Sequence, residues 1–191
     1  PTIAFLNPPY DVGSAGQLHF IEHALNIVAL QKGWVVAIVQ MSVGKKKKKD
    51  LIAAKTRVLQ NHRLHAVLSM PDDLFHPSAT VVTSIMVFKA GEKHDGRKTW
   101  FGYFKDDGFE KRKHKGRIDA RGKWKAIKKQ WVDAYHNLDE ISGLSVKAEV
   151  GPTDEWCAEA YMETDYTTLK DRDFEKKMND YIAFKFLTGL K

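Results

Sequence analysis

The sequence predicts an α/β fold built around a mostly parallel sheet. Short apolar runs rich in β-branched residues alternate with stretches of helical periodicity, which is the element order of α/β proteins. The chain has 191 residues, 43% of them hydrophobic, and can bury one substantial core. Its single cysteine, Cys157, excludes internal disulfides and fits a reducing compartment.

Five apolar runs predict the strands of this sheet. Each run is short, rich in β-branched or aromatic residues and bounded by turn residues. The predicted strands cover residues 2–6, 34–40, 64–70, 83–90 and 99–104. The intervening "GEKHDG" predicts that the last two of them form a hairpin.

Helical spacing of apolar residues predicts a helix between successive strands. The first helix runs from about residue 18 to 30, and Gly33 is placed as its C′ residue. The second runs from about residue 50 to 61. The lysine run 45–49 is interpreted as a solvated loop or helix entry in preference to a contact with DNA phosphates, because five adjacent lysines repel each other.

The character of the chain changes after residue 104. The stretch "KDDGFEKRKHKGRIDARGKWK" is basic, punctuated by glycine and poor in aliphatic residues, which predicts a loop. A helix at about 121–136 follows, with its aromatic residues on one side. We therefore divide the chain into residues 1–104, a sheet domain, and residues 105–191, a basic and helical extension.

A last helix is predicted near the end of the chain. Thr168-x-x-Asp171 has the spacing of a capping box, and Phe174 to Ile182 continue with helical spacing. Gly189 is predicted to close this helix. No apolar run approaches the ~18 residues of a membrane span.

The charge is unevenly distributed. Residues 45–130 hold 23 lysines and arginines against 9 acidic residues, whereas residues 131–191 hold 7 against 13. The basic middle favours a polyanionic partner such as nucleic acid. Within residues 111–129, ten basic residues have Asp119 as their one acidic neighbour. The candidate contacts to DNA phosphates are Lys111, Arg112, Lys113, Lys115, Arg117 and Arg121.

The first strand runs directly into "NPPY", residues 7–10. The prolines fix φ and lack N–H donors, so the carbonyls of Asn7 and Pro8 lack local turn partners. Together with the Asn7 amide they form a cluster of acceptors suited to an amino group, and Tyr10 offers a face for a planar base. A proline-rich turn that ends an edge strand is the alternative.

"NPPY" after an apolar strand resembles the catalytic motif of S-adenosylmethionine-dependent amino methyltransferases. Residues 18–44, 57–91 and "FGYFKDDGF" at 101–109 resemble the following blocks of adenine-N6 DNA methyltransferases, in particular the modification subunits of type I restriction–modification systems. The resemblance implies the C-terminal part of a methyltransferase sheet, mostly parallel with an antiparallel strand.

The resemblance also implies roles for particular residues. Asn7 and Pro8 would accept hydrogen bonds from the adenine amino group, and Pro9 and Tyr10 complete the motif. Tyr10 would stack on the flipped adenine and Phe75 on its other face. A loop anchor in the core is the alternative for Phe75.

The resemblance implies S-adenosylmethionine as the methyl donor. In this family a glycine-rich cofactor loop precedes the catalytic motif, and no G-x-G occurs in this chain. We therefore expect the chain to correspond to the part from "NPPY" onward, to bind the cofactor poorly and to be inactive alone. The expected setting is the cytoplasm of a prokaryote.

The implied partners are DNA, the specificity and restriction subunits, the N-terminal half of the methyltransferase and a second copy of the chain on an exposed sheet edge. Two other functions stay open. One is a nucleic-acid or subunit-binding module without catalysis, and the other is methylation of RNA or of a protein glutamine.

Some motifs are interpreted as structural. "HFIEH" matches the H-x-x-E-H zinc pattern, but no third ligand is placed, and we predict no metal. The acidic pairs at 72–73 and 106–107 are interpreted as surface turns, and Cys157 as a packed core residue.

Overall fold

The computed structural model describes residues 2–78, 80–163 and 170–188 as a central sheet with helices on both faces. The strands are β1 (Ile3–Leu6), β2 (Trp34–Gln40), β3 (Arg63–Ser69), β4 (Thr83–Lys89), β5 (Lys98–Tyr103), β6 (Glu110–Arg112), β7 (Gly116–Ile118) and β8 (Ser145–Glu149). The helices are α1 (Gly13–Val28), α2 (Ser42–Lys45), α3 (Lys49–Asn61), α4 (Trp124–Asn137) and α5 (Asp171–Thr188), with a short 3-10 turn at Ala158–Ala160.

The six-stranded sheet has the order β1-β2-β4-β3-β5-β8. β1 is parallel to β2, and β3 is parallel to β5. β4 is antiparallel to both β2 and β3, and β8 is antiparallel to β5. Four strands of this sheet therefore run in one direction and two oppose them, which confirms the predicted fold class.

The predicted hairpin between the fourth and fifth strands is wrong. β4 is inserted between β2 and β3, so both of its edges are already hydrogen-bonded. β5 instead pairs with the other edge of β3. A sequence pattern predicts that a segment forms a strand, but it does not predict which neighbouring strand still has a free edge for pairing.

Helices pack on both faces of this sheet. The side chains that α1 and α3 bury on one face are Leu18, Ile21, Leu25, Leu51, Ala54 and Val58. α4 covers part of the other face, where Trp131 stacks on Phe104 with ring centroids 4.4 Å apart. Each fully buried large apolar side chain contributes about 1.5–3 kcal/mol, so these faces provide most of the driving force for folding.

The region after residue 104 is more structured than predicted. Its basic stretch forms the β6–β7 hairpin instead of an irregular loop. β8 was not predicted, and it extends the sheet beyond β5. The division after residue 104 stays a prediction, although a strand and a helix from beyond it pack onto the sheet.

The predicted C-terminal helix is confirmed as α5. Thr168 and Gly189, its predicted cap and end, lie outside the described residues. Several large apolar side chains of α5 are exposed, among them Phe186 at 85% and Leu187 at 88%. Within the described ranges, no helix is both long enough and apolar enough to cross a membrane.

Gly33 does not have the predicted role. α1 ends at Val28, and the left-handed residue of the following turn is Lys32, with φ of 47°. Gly33 lies where the chain passes close to the start of β1, and a Cβ there would stand 2.6 Å from the Thr2 carbonyl oxygen. The close approach of two backbone segments is what requires glycine here.

A buried glutamine pair positions the start of α1. The Gln17 side chain donates from Nε2 to Oε1 of Gln40 at 2.9 Å and accepts from the Gln40 backbone N–H at 3.0 Å. Gln17 is fully buried on the apolar face of α1, and Gln40 is the last residue of β2. The pair therefore ties the N-terminal part of α1 to the carboxyl end of β2.

A buried lysine holds a distant segment against α3. Lys55 is 1% exposed, and its Nζ donates to the carbonyl oxygens of Gly44 at 2.8 Å and Asp154 at 3.1 Å. The same Nζ lies 4.7 Å from the centre of the Trp156 ring. Burial lowers the pKa of Lys55 to about 8.

The lowered pKa of Lys55 predicts that the free energy of unfolding rises between about pH 8 and pH 10.5. The unfolded chain keeps this proton up to the ordinary lysine pKa, whereas the folded chain releases it from about pH 8. The unfolded state binds more protons in this window, so stability increases with pH, by about 3 kcal/mol in full. Urea denaturation across the window measures this rise.

The matched variants are Lys55→Met and Lys128→Met. The first should lack this part of the pH dependence, because the titrating group is gone. The second removes an exposed lysine of α4 and should keep it. The assignment would be contradicted by identical pH profiles for Lys55→Met and the wild type.

Candidate active site

The candidate residues follow strands whose carboxyl ends lie at the same end of the sheet. "NPPY" follows β1, the loop that contains Phe75 follows β3, and "KDDGF" at 105–109 follows β5. In α/β sheets ligands bind beyond the carboxyl ends of such strands. β1 and β3 are three strand spacings apart in the sheet, which corresponds to about 14 Å.

The acceptors of "NPPY" are available. Asn7 and Pro9 are exposed and Pro8 is buried. Among the described residues, nothing donates a hydrogen bond to the carbonyl of Asn7 or of Pro8, and the Asn7 side chain makes no hydrogen bond. The segment therefore presents three carbonyl oxygens without internal partners.

Tyr10 lies half-buried where the chain enters α1. Its carbonyl accepts a hydrogen bond from the Gly13 N–H at 3.4 Å, and Gly13 has φ of 71°. Its hydroxyl is enclosed without a partner in the described part of the chain, and burial raises the pKa of Tyr10. One turn later, the hydroxyls of Ser14 and Ser42 are hydrogen-bonded at 2.9 Å, which fixes the start of α1 against α2.

The loop after β3 carries Phe75. Its backbone is turned by hydrogen bonds from the N–H of Leu74 to the Pro71 carbonyl at 3.3 Å and from the N–H of His76 to the Asp73 carbonyl at 2.9 Å. Phe75 is partly exposed and belongs to neither hydrophobic cluster of the described residues. The core-anchor alternative therefore gains no support from the packing.

Lys105 connects this loop to the end of β3. Its Nζ lies 2.7 Å from a carboxylate oxygen of Asp72 and 3.1 Å from one of Glu159. The Ser69 hydroxyl donates to the other Glu159 oxygen at 2.6 Å. Burial opposes the charged form of Glu159, but the hydrogen bonds from Ser69 and Lys105 outweigh it and lower the pKa of Glu159.

Arg117 of β7 lies between two carboxylates. It contacts Asp73 at 3.0 Å and both oxygens of Asp107 at 2.8 and 2.9 Å. The side chains of Arg117 and Asp107 are 10% and 7% exposed. The interpretation of the acidic pairs as surface turns is therefore wrong for Asp107, which is buried against a basic strand. Asp73 lies in a turn with its side chain 27% exposed, although the same strand contacts it.

The basic residues cluster around a cleft of about 510 Å³ beside the Phe75 loop. The lining residues are His76, Pro77, Lys111, Arg112, Lys113, His114, Lys115 and Gly116. Four of the six predicted phosphate contacts line it. Arg117 lies outside the lining, and Arg121 is paired with Glu110 at 2.7 Å.

The fold supplies more counter-charges than the sequence indicated. Lys111 is 3.4 Å from Asp73, and Arg112 is 2.8 Å from Glu110. Asp119, the predicted counter-charge, instead accepts hydrogen bonds from the N–H groups of Lys123 and Trp124 and caps α4. Within the described residues, no ion pair involves Lys113 or Lys115.

Several of these contacts were missed because their partners are distant in sequence. Ser69 and Glu159 are 90 residues apart. One usable signal was present: Gln17 interrupts the apolar stripe of α1, and Gln40 ends an apolar strand. A polar residue on a buried helix face requires a partner, so this pair could have been proposed.

The "HFIEH" stretch has a structural contact. Its Glu22 receives two hydrogen bonds of 2.9 Å from Arg57 of α3, and His19 and His23 are exposed. No group of three or more His, Cys, Asp or Glu residues that could hold a metal ion occurs in the part of the chain described. Cys157 is fully buried as predicted, and burial raises the pKa of its thiol to about 11.

Comparison with known proteins identifies a family. The N-6 DNA Methylase family model matches residues 8–186. A curated relative, "Type II restriction enzyme and methyltransferase RM.BcgI" from Heyndrickxia coagulans, is 34% identical over 191 residues. The match covers 95% of this chain and 29% of the relative, so the chain spans less than a third of that protein's length.

Two solved structures are similar in fold. The methyltransferase subunit of a type I restriction–modification system from Streptococcus thermophilus has a TM-score of 0.59 and 15% identity, over 77% of this chain and 34% of that one. A chain of a type I R-M system, from a study of its assembly and conformational transition, has a TM-score of 0.60 and 16% identity, over 99% of this chain and 45% of that one.

The family match begins inside the "NPPY" motif and extends through both segments of the chain. It confirms the resemblance to adenine-N6 DNA methyltransferases that the sequence indicated, and the solved structures agree with the sheet found here. The chain belongs to the N-6 DNA methylase family.

Proposed function

We propose that this chain holds the target base of a DNA adenine-N6 methyltransferase of a restriction–modification system. The carrying observation is the set of unpartnered acceptors in "NPPY" at the carboxyl end of β1, in a chain that belongs to the N-6 DNA methylase family. The RM.BcgI relative, named as a restriction enzyme and methyltransferase, supports the same assignment.

The adenine amino group has two N–H donors, and this segment offers matching acceptors. In the proposed complex, the Asn7 side-chain oxygen and the Pro8 carbonyl each accept one hydrogen bond from that group. Both contacts orient the nitrogen lone pair away from the protein backbone. Pro9 keeps the segment rigid, so the orientation costs little entropy on binding. Positioning of this kind supplies much of the rate enhancement in group transfer.

Two aromatic side chains would hold the plane of the base. An enzyme that modifies a base inside a duplex rotates it out of the stack and pays the unstacking energy through contacts in its own site. Tyr10 and Phe75 approach from the ends of β1 and β3, and both are partly exposed. We assign Tyr10 to one face of the adenine and Phe75 to the other.

The basic cleft is proposed to contact the DNA backbone. Lys113 and Lys115 are exposed, and in the described chain they have no acidic partner that would compete with phosphate. The side chains of Lys111, Arg112 and Arg121 are more than half exposed despite their ion pairs. Arg117, enclosed by two carboxylates, is instead assigned to holding the hairpin in place.

S-adenosylmethionine would supply the methyl group from its sulfonium centre. A pocket for its charged and ribose groups needs enclosing walls with fixed polar partners. Beside Asn7, β1 is an edge strand of the described sheet, and its Phe5 is 77% exposed. The residues present therefore do not fit a complete cofactor pocket.

The β1 edge marks where another polypeptide would complete the enzyme. An unpaired strand edge with exposed apolar side chains is an association site. Ile3 and Phe5 line an apolar groove of about 390 Å³ together with Trp34 and Tyr135. We assign this edge to the cofactor-binding part of the methyltransferase. The exposed apolar side chains of α5 are assigned to the specificity and restriction subunits.

Asn7→Ala should lower kcat for adenine methylation by roughly 100-fold, with little change in the KM for DNA. The variant loses an acceptor for the amino group, whereas affinity depends mainly on phosphate contacts. The assay uses the complete gene product and unmethylated duplex DNA, with N6-methyladenine measured by mass spectrometry.

Asn26→Ala, an exposed position on α1, is the matched control and should be fully active. Full activity of Asn7→Ala would show the acceptor assignment to be wrong. Methylation of RNA or of a protein glutamine, with none of DNA, would move the assignment to that substrate. A complete gene product that binds DNA but methylates nothing would leave a binding module.

The double variant Lys113→Gln/Lys115→Gln should weaken DNA binding and reduce its salt dependence. Each lost phosphate contact lowers the slope of log K against log salt by roughly 0.9. Fluorescence anisotropy with duplex DNA over a salt series measures this slope. The control Lys93→Gln/Lys98→Gln removes the same charge near the start of β5, away from the carboxyl ends of β1, β3 and β5, and should leave the slope unchanged. Equal effects of the two double variants would refute a contact localised to the basic cleft.

The 191-residue chain alone should show no micromolar binding of S-adenosylmethionine, because it lacks the walls beyond β1. Isothermal titration calorimetry checks this, with the complete gene product as the positive comparison. Micromolar binding by the 191 residues would overturn the assignment of the edge. A dimer that forms through β1 in sedimentation experiments would place a second copy there instead.

A further inference from the structure

The segment "KDDGF", Lys105 to Phe109, has no role in the base and backbone contacts proposed above. It leaves the carboxyl end of β5 and runs into the β6–β7 hairpin. On its way it contacts the loop that carries Phe75 and the hairpin that carries the basic residues. Its position between these two parts suggests a mechanical function.

One connection between this segment, the hairpin and the Phe75 loop is made by three charged side chains. Arg117 of the hairpin binds Asp107 of "KDDGF" through two contacts of 2.8 and 2.9 Å, and it binds Asp73 of the loop at 3.0 Å. Phe75 is two residues beyond Asp73. Arg117 makes both hydrogen bonds to Asp107 from Nη2, whereas its Nε faces Asp73 as an ion pair without a hydrogen bond. One guanidinium therefore holds two carboxylates near each other, one by hydrogen bonds and one by charge.

The segment that carries Asp107 is packed against α4. The Asp107 carboxylate also accepts a hydrogen bond from the Phe109 N–H at 3.0 Å. Phe109 packs edge-on against Trp124 of α4, with ring centroids 5.7 Å apart, and the Arg117 guanidinium lies 5.3 Å from its ring centre. Gly108 has φ of 78°, and a Cβ there would be 2.9 Å from the Ile127 side chain. The carboxylate position is thereby set by α4.

A second connection does not involve these three side chains. Lys105 binds Asp72, the neighbour of Asp73, and also Glu159. The loop is therefore held at two adjacent carboxylates, Asp72 by Lys105 of the segment after β5 and Asp73 by Arg117 of the hairpin. Such double attachment restricts both the position and the tilt of the turn that follows.

The basic cleft lies at the same junction. His76 and Pro77, next to Phe75, form one wall, and the hairpin residues from Lys111 to Gly116 form the other. Lys111 is the more weakly held partner of Asp73, at 3.4 Å and 54% exposed, whereas Arg117 is closer and 10% exposed. A phosphate in the cleft can therefore attract Lys111 while Arg117 keeps the loop attached.

We propose that the Asp73–Arg117–Asp107 triad is a positioning clamp that fixes the orientation of Phe75 when the basic cleft holds the DNA backbone. The inference rests on the proposed function and assigns Arg117, Asp73 and Asp107 to positioning, without contact to the base. The backbone-binding wall and the base-contacting loop share one anchor, so DNA bound in the cleft finds the aromatic face already in place.

The test is Asp73→Asn in the complete gene product, assayed for adenine methylation. The amide keeps the shape of the side chain but loses the charge that Arg117 binds. We expect kcat to fall by roughly 10–100-fold, as misplacement of a positioning group does, with KM for DNA unchanged. Arg117→Lys keeps the charge but replaces the planar guanidinium, with its two hydrogen bonds to Asp107, by a flexible point charge, and it should act in the same direction.

Asp106→Asn is the matched control. Asp106 lies in the same segment and, besides the Gly108 N–H that it binds at 2.9 Å, takes no part in the triad. Both variants remove one negative charge close to the DNA, so a general electrostatic effect would change both equally. Asp106→Asn should therefore keep wild-type kcat, and thermal unfolding of each variant shows whether the fold is intact.

A double-mutant cycle with Phe75→Ala distinguishes positioning from general damage. If the clamp acts through Phe75, Asp73→Asn should cause little further loss of kcat in the Phe75→Ala background. Multiplicative losses, an effect confined to KM, or equal losses in Asp106→Asn would overturn the proposal. Wild-type kcat in Asp73→Asn together with an inactive Asn7→Ala would refute the clamp and leave the proposed function intact.

Discussion

The insertion of β4 between β2 and β3 is the constraint on which the rest of this structure depends. Because β4 occupies the edges of both neighbours, β3 lies three strand spacings from β1, and β5 must pair with the far side of β3. The segments after β1 and β3 are thereby separated by about 14 Å at their bases. In the proposed function, the base is held across this separation, between Tyr10 and Phe75.

Polar contacts at the carboxyl ends of β1, β3 and β5 form two groups. Near β1, the Gln17–Gln40 pair fixes the start of α1, and the acceptors of "NPPY" have no partners among the described residues. Near β3 and β5, charges are paired closely: Lys105 with Asp72 and Glu159, and Arg117 with Asp73 and Asp107. One group therefore presents unused hydrogen-bonding capacity, while the other is held rigid by ion pairs.

The two outer sides of the sheet, one at β8 and the other at β1, differ in how completely they are covered by other parts of the chain. On one side β8 and α4 cover β5, and aromatic contacts such as Trp131 on Phe104 close the core. On the other side β1 is an edge, with Phe5 exposed. β1 is paired on one side only, and its Ile3 and Phe5 side chains are exposed, which is consistent with a chain that spans less than a third of its RM.BcgI relative.

The sequence by itself determined β1 to β5 and the helices α1, α3, α4 and α5, because periodicity and turn residues are local properties, but it indicated none of β6, β7 and β8. It also determined the "NPPY" acceptors, since proline removes donors whatever surrounds it, and the family to which the chain belongs. Only the tertiary structure decided that β4 pairs with β2 and β3, that Gly33 is required by the Thr2 carbonyl, and that Arg117 is enclosed by Asp73 and Asp107. Strand order and charge pairing join residues far apart in sequence, and their free energy depends on distances that exist only after the sheet has formed.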